Sequence, residues 1–115
     1  MQEPISGDAL RGHLETMILS VLEQGDAHGF EVLRRLEGAG SGLLKLKEGS
    51  VYPALYRLEE AGYVSARWEG PEVKRRGPRR RIYRLTRKGQ KRLQGGRVEW
   101  RQFVEVVGTV VGATA

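Results

Sequence analysis

The 115-residue chain contains no cysteine. That excludes a disulfide framework and any thiolate metal site, and it suits a reducing cytoplasm. Histidine is nearly as scarce, limited to His13 and His28. There is no HExxH, no P-loop, and no GxGxxG followed by an acid. We therefore expect a non-enzyme without metal or cofactor. No apolar run approaches the roughly 18 residues of a membrane span. Met1–Gly12 lack the apolar stretch of a signal peptide. The expected location is cytoplasmic, without a membrane partner. Acid is also missing from one long stretch: Val73–Arg92 carries eleven Lys/Arg and no Asp/Glu.

That last absence makes the charge lopsided. Residues 1–66 carry six bases and ten acids, net −4, whereas residues 67–115 carry fourteen bases and four acids, net +10. A field so dense in one sign repels itself unless an anionic partner neutralises it. Nucleic acid is the leading partner class, with an anionic membrane surface second. A merely solvated basic tail is the plain alternative.

What is present reads as one domain. Leu10, Leu14, Met17, Ile18, Val21 and Leu22 recur at helical spacing, which predicts an amphipathic helix over Ala9–Gln24, capped by Asp8 and ended by Gly25. A second helix over Gly29–Glu37 has Phe30, Leu33 and Leu36 as its apolar positions, and Gly38, Gly40 and Gly42 dissolve it. Leu44 and Leu46 alternate with lysines as in a short strand. A third helix is predicted over Ser50–Ala61, with Ser50 as a natural cap and Pro53 tolerated in the first turn. Val51, Leu55 and Leu58 form its buried stripe.

After Gly62 the period changes to two. Val64, Ala66 and Trp68 share one face of a strand, Gly70–Pro78 forms a loop, and Arg79–Leu85 alternates again. This is a β-hairpin with a long basic tip. Thr86 then caps a helix in which Leu93, Trp100, Phe103, Val104, Val107, Val110 and Val111 follow at roughly heptad spacing. Gly95, Gly96, Gly108 and Gly112 should weaken it. The expected fold is α+β, mostly helical: a winged helix-turn-helix with a two-stranded wing over 9–86, and a C-terminal dimerisation helix over 87–112. In such folds the second helix of the unit enters the major groove.

The segments LRGHLETMILSVL (Leu10–Leu22), HGFEVLRRLE (His28–Glu37), EGSVYPALYRLEEAGYV (Glu48–Val64), RRIYRLTRKG (Arg80–Gly89) and VEWRQFV (Val98–Val104) resemble PadR-type transcriptional regulators. The resemblance spans about residues 9–107, and the third segment is its specific part. It implies a winged-helix homodimer that represses transcription at an inverted repeat. The single long final helix resembles the short subgroup. His28-Gly29-Phe30 departs from the family's usual Tyr-Gly-Tyr, where the first tyrosine makes a backbone contact.

The candidate DNA contacts are Ser50, Tyr52, Pro53, Tyr56 and Arg57 on the third helix, and Lys74, Arg75, Arg76, Arg79, Arg80 and Arg81 on the wing. Tyr52 and Tyr56 share a side of the helix and can stack or donate to phosphate. Either could instead close the edge of the core, and Pro53 could simply shape the helix start. Arg57 can pair with Glu60 or reach a phosphate. The six wing bases outnumber the nearby acids Glu69 and Glu72, and guanidinium groups suit phosphates and narrow minor grooves. Leu93, Trp100, Phe103, Val104 and Val107 are the candidate dimer face. Trp100 reads as dimer core. By the resemblance it can also line a cavity for a flat apolar or aromatic effector. Two other classes compete. An RNA-binding module would have only Trp68 and Tyr83 for base stacking. A protein-binding winged helix would leave the eleven basic residues unexplained.

Overall fold

The computed structural model describes residues 5–6 and 12–113. Apolar side chains three and four apart build four helices: α1 (Leu14–Leu22), α2 (Gly29–Ala39), α3 (Glu48–Glu60) and α4 (Arg87–Val111). The first three enclose one core of Ile18, Leu19, Leu22, Val32, Leu36, Val51, Leu55 and Leu58, all buried. Strands β2 (Ala27–His28), β5 (Arg81–Leu85) and β4 (Val64–Trp68) form an antiparallel sheet in that spatial order. Strands β1 (Ile5–Ser6) and β3 (Leu44–Lys45) pair in parallel.

Several boundaries move for local reasons. Gly12 has φ +90° and lies with His13 in a turn, so α1 starts at Leu14 rather than Ala9. The expected cap Asp8 lies outside the described residues. The third helix begins two residues before the expected Ser50, because the Lys47 carbonyl already accepts from the Val51 N–H at 3.1 Å. Ser50 is therefore not the cap, and its hydroxyl stands exposed on the first turn. Pro53 consequently falls in the second turn, where its missing N–H leaves the carbonyl of exposed Gly49 without a helical donor. The helix ends in paired bonds, Tyr63 N–H to the Leu58 carbonyl at 2.9 Å and Gly62 N–H to the Glu59 carbonyl at 3.0 Å. Gly62 supplies the left-handed φ of +80° that this closure requires.

The sheet has one strand more than the expected hairpin. Ala27 and His28 pair with Tyr83 and Ile82, which ties the entry of α2 to the wing. At the far end of β4, Trp68 is 55% exposed rather than buried with Val64. The Arg81 guanidinium lies 5.3 Å above its ring.

Helix α4 runs unbroken through Gly95 and Gly96. Thr86 caps it by accepting from the Gly89 N–H at 3.0 Å. Two of its glycines are points of close approach. A Cβ on Gly89 would collide with the Tyr63 carbonyl, and one on Gly96 would lie 2.7 Å from the Thr16 hydroxyl. Between them Leu93 is 0% exposed within its own chain. Leu93 therefore belongs to the core and presents no surface to a second chain, contrary to the heptad reading. Arg97 completes the contact, reaching the carboxylate of Glu23 at the end of α1 at 2.7 Å.

Candidate nucleic-acid interface and the α1–α4 cleft

The outer side of α3 carries Ser50, Tyr52, Pro53, Tyr56 and Arg57, all exposed. They share that side because Val51, Ala54, Leu55 and Leu58 are turned into the core. Tyr52 does two things. Its ring packs on Gly29, where any Cβ would overlap it, yet much of it remains open to solvent. Arg57 pairs with Glu15 of α1 at 3.3 Å rather than with Glu60.

The wing bases separate into two groups. Arg75 grips the Glu69 carboxylate with two nitrogens, at 3.1 and 2.6 Å, and also donates to the Arg76 and Pro78 carbonyls. Arg79 donates twice to the Glu69 carbonyl, at 2.9 and 2.6 Å. The Arg80 backbone N–H reaches the same carboxylate at 3.1 Å. Arg81 pairs with Glu59 of α3 at 2.6 Å. One glutamate thus organises three wing arginines, so the excess of bases over acids did not leave them all unpaired. Hydrogen bonding from Arg75 holds the Glu69 carboxyl below its ordinary range, helped by the Arg80 backbone. Lys74 and Arg76 are exposed and have no ion-pair partner among the described residues.

The wing and the helix starts enclose a cleft of about 360 Å³, lined by His28, Phe30, Tyr52, Tyr83 and the loop from Arg75 to Arg81. This brings the expected wing residues, apart from Lys74, around the same space as Tyr52. Phe30 is an addition that sequence reasoning did not place there, and His28 stands where the resemblance has a tyrosine that makes a backbone contact. His28 caps α2, its Nδ1 accepting from the Glu31 N–H at 3.2 Å, while its Nε2 lies 3.0 Å from the Arg80 guanidinium.

A second, apolar cleft of about 860 Å³ lies between α1 and α4. Trp100 stacks on Phe103 with ring centres 5.8 Å apart, and His13 meets Trp100 edge-on at 5.0 Å. His13 immediately precedes α1. Its place beside Trp100 depends on how α1 crosses α4. Trp100 is 48% exposed, Phe103 and Val107 are similarly open, and Val104 is half-buried. The stripe that begins with Leu93 and Gly96 against α1 therefore continues past the start of α1 without cover from the described residues. No helix among those residues is long and apolar enough to cross a membrane.

Residues 18–95 match the transcriptional regulator PadR-like family. A transcriptional regulator from Clostridium thermocellum shares 32% identity, with 91% of this chain and 96% of that one covered and a TM-score of 0.80. A PadR family transcription regulator from Clostridium difficile R20291 shares 29% identity over 87% of this chain and 99% of that one, with a TM-score of 0.73. Bacillus subtilis PadR, solved in complex with operator DNA, shares the fold at 22% identity and a TM-score of 0.63, with 75% of this chain and 46% of that one covered. The chain belongs to the PadR-like family of transcriptional regulators and is not an enzyme.

Proposed function

We propose that the protein is a cytoplasmic homodimer that binds duplex DNA at an inverted repeat and represses transcription there. In this reading Ser50, Tyr52, Pro53, Tyr56 and Arg57 meet the groove, and the wing bases meet the flanking phosphates. The observation that carries it is the shared cleft, where the wing loop from Arg75 to Arg81 surrounds Tyr52 of α3. Bacillus subtilis PadR, which shares the fold, was solved in complex with operator DNA, and this supports DNA as the partner class. Lys74 and Arg76 are exposed charges without an ion-pair partner among the described residues, and they suit phosphate. Winged-helix dimers set their recognition helices about one DNA turn, roughly 34 Å, apart. The uncovered α4 stripe of Trp100, Phe103, Val104 and Val107 supplies a self-complementary face for such a dimer. The apolar cleft beside Trp100 suits a flat aromatic or apolar effector whose binding releases DNA.

The test is binding to duplex DNA as a function of salt, against single-stranded RNA of equal charge. Affinity for duplex should fall by orders of magnitude between low and physiological salt. A nearly flat salt response, or equal affinity for the RNA, refutes the reading. For the effector, planar aromatics should quench Trp100 fluorescence in a Trp68→Phe background and weaken DNA binding. No quenching across a broad set would leave Trp100 as interface only.

A further inference from the structure

The β4–β5 ladder ends one bond short. Glu69 and Arg80 follow Trp68 and Arg81, the last paired residues of the two strands, and the Glu69 N–H reaches the Arg80 carbonyl at 2.7 Å. In a hydrogen-bonded antiparallel pair the two residues exchange both bonds. Here the Arg80 N–H goes instead to the Glu69 carboxylate, at 3.1 Å. That leaves the Glu69 carbonyl to two nitrogens of Arg79, at 2.9 and 2.6 Å. The same carboxylate takes Arg75 through two nitrogens, and Arg75 spans the tip to the Arg76 and Pro78 carbonyls.

The loop from Gly70 to Arg79 depends on this knot for its shape. Val73, its one large apolar side chain, is exposed and adds no core. The Glu69 and Arg75 side chains are only 14% and 23% exposed, so salt screens their pair less than an open one. With Arg75 drawn inward, its neighbours Lys74 and Arg76 stand exposed on either side of it.

We propose that Glu69, although an acid on a DNA-binding face, raises DNA affinity: it is a positioning residue that holds the wing loop in its binding shape and so presents Lys74 and Arg76 to phosphate. The inference rests on the DNA-binding reading above. Two effects oppose each other. A carboxylate repels phosphate, and a loose loop must be ordered on binding. Repulsion is the smaller, because the Arg75 guanidinium already neutralises this carboxylate. Ordering is the larger, because without Glu69 both Arg75 and Arg79 are freed, and immobilising two such side chains on binding costs roughly tenfold in affinity.

The experiment sets E69A beside E72A. Glu72 lies on the same loop, exposed and without an ion-pair partner among the described residues. The two variants therefore lose the same charge, and only one loses the brace. With a mixed-sequence duplex at constant salt, E72A should bind more tightly than the wild type and E69A about tenfold more weakly. In the absence of DNA, trypsin should cut E69A within Lys74–Arg80 faster than it cuts the wild type or E72A. Replacing Lys74 and Arg76 with Gln should cost less affinity in the E69A background than in the wild type, because a loose loop no longer presents them. Circular dichroism establishes that E69A is folded; should it not be, E69Q, which keeps one acceptor, carries the same comparison. E69A binding as tightly as the wild type, or an equal loss in E72A, overturns the proposal. A wing cut at one rate in all three proteins, or an equal cost of the Lys74 and Arg76 replacements in both backgrounds, also overturns it. Each of these results leaves the DNA-binding reading intact. Absence of duplex binding by the wild type overturns that reading and this proposal with it.

Discussion

The wing and the final helix were both expected to offer surplus surface, one of charge and one of apolar area. The structure treats them differently. On the wing, much of the apparent surplus is consumed internally, because Glu69 gathers Arg75, Arg79 and the Arg80 backbone. On α4, the surplus is consumed mainly at the start, where Leu93 and Gly96 pack on α1, and further on Trp100, Phe103 and Val107 remain largely exposed. Charge in a flexible loop can fold back on its own backbone. A rigid helix cannot turn an apolar face away from water, so the remainder needs a partner. The surplus available for binding is thus smaller on the wing than its base count implies, and it begins later on α4 than the heptad implies.

The sharpest way to break this comparison is on α4. Phe103→Glu with Val107→Glu should leave a folded monomer, because neither side chain is in the core. Two linked modules typically gain about a hundredfold or more over one, so affinity for a palindrome should drop by at least that factor. Light scattering and titration check both parts. A variant that stays dimeric would show that the open stripe is not the interface. Leu93→Ala, about two turns before Trp100 on the same face, should behave oppositely. It empties a fully buried site and should cost about 2–5 kcal/mol of stability, measured by denaturant unfolding. Loss of dimerisation in Leu93→Ala without loss of stability would restore Leu93 to the dimer face.

The contrast between Leu93 and Trp100 also marks what was legible. The stripe of α3 could be read because Val51, Leu55 and Leu58 keep one period from end to end and meet one core. Leu93, Trp100 and Val107 keep a period too, but spacing cannot say where along a helix the chain's own cover stops. That depends on where α1 begins, and Gly12 sets this by a turn. Strand β2 was illegible for a different reason, since Ala27–His28 is too short to show alternation. The role of His28 at the wing followed from that missed strand. Likewise, no spacing rule could pair Glu69 with Arg75, Arg79 and Arg80, because the loop's path decides it. The basic character of the site was plain from sequence; which bases are unpaired was not.

On the wing the comparison sharpens through salt dependence. Replacing Lys74 and Arg76 together with Gln should lower the slope of log affinity against log salt by about one for each phosphate no longer neutralised. Thermal stability should not move, since neither side chain braces the loop. Arg75→Gln should do the reverse, loosening the loop with a smaller change in slope. Equal slopes for the two variants would mean that bracing does not remove an arginine from the phosphate-facing set.

The smallest expected effect concerns how the covered part of α4 is fastened. Glu23, the residue that ends α1, accepts from Arg97 at 2.7 Å and from Gln90 at 2.8 Å, both on α4. These bonds, Arg97 first, hold its carboxyl below its ordinary value of 4.5. A carboxylate with a depressed folded pKa stabilises the fold fully above its unfolded pKa and loses that contribution as pH falls through the folded one. The pair is partly open to solvent, so screening limits it to about 1 kcal/mol or less. Glu23→Gln should therefore melt slightly below the wild type at pH 7, and the gap should close as the medium is acidified below pH 4.5. Leu93 and Gly96 carry the rest of the packing and do not titrate, so α4 should stay docked in both proteins. A gap that persists unchanged in acid would show that the glutamate acts there through packing rather than charge.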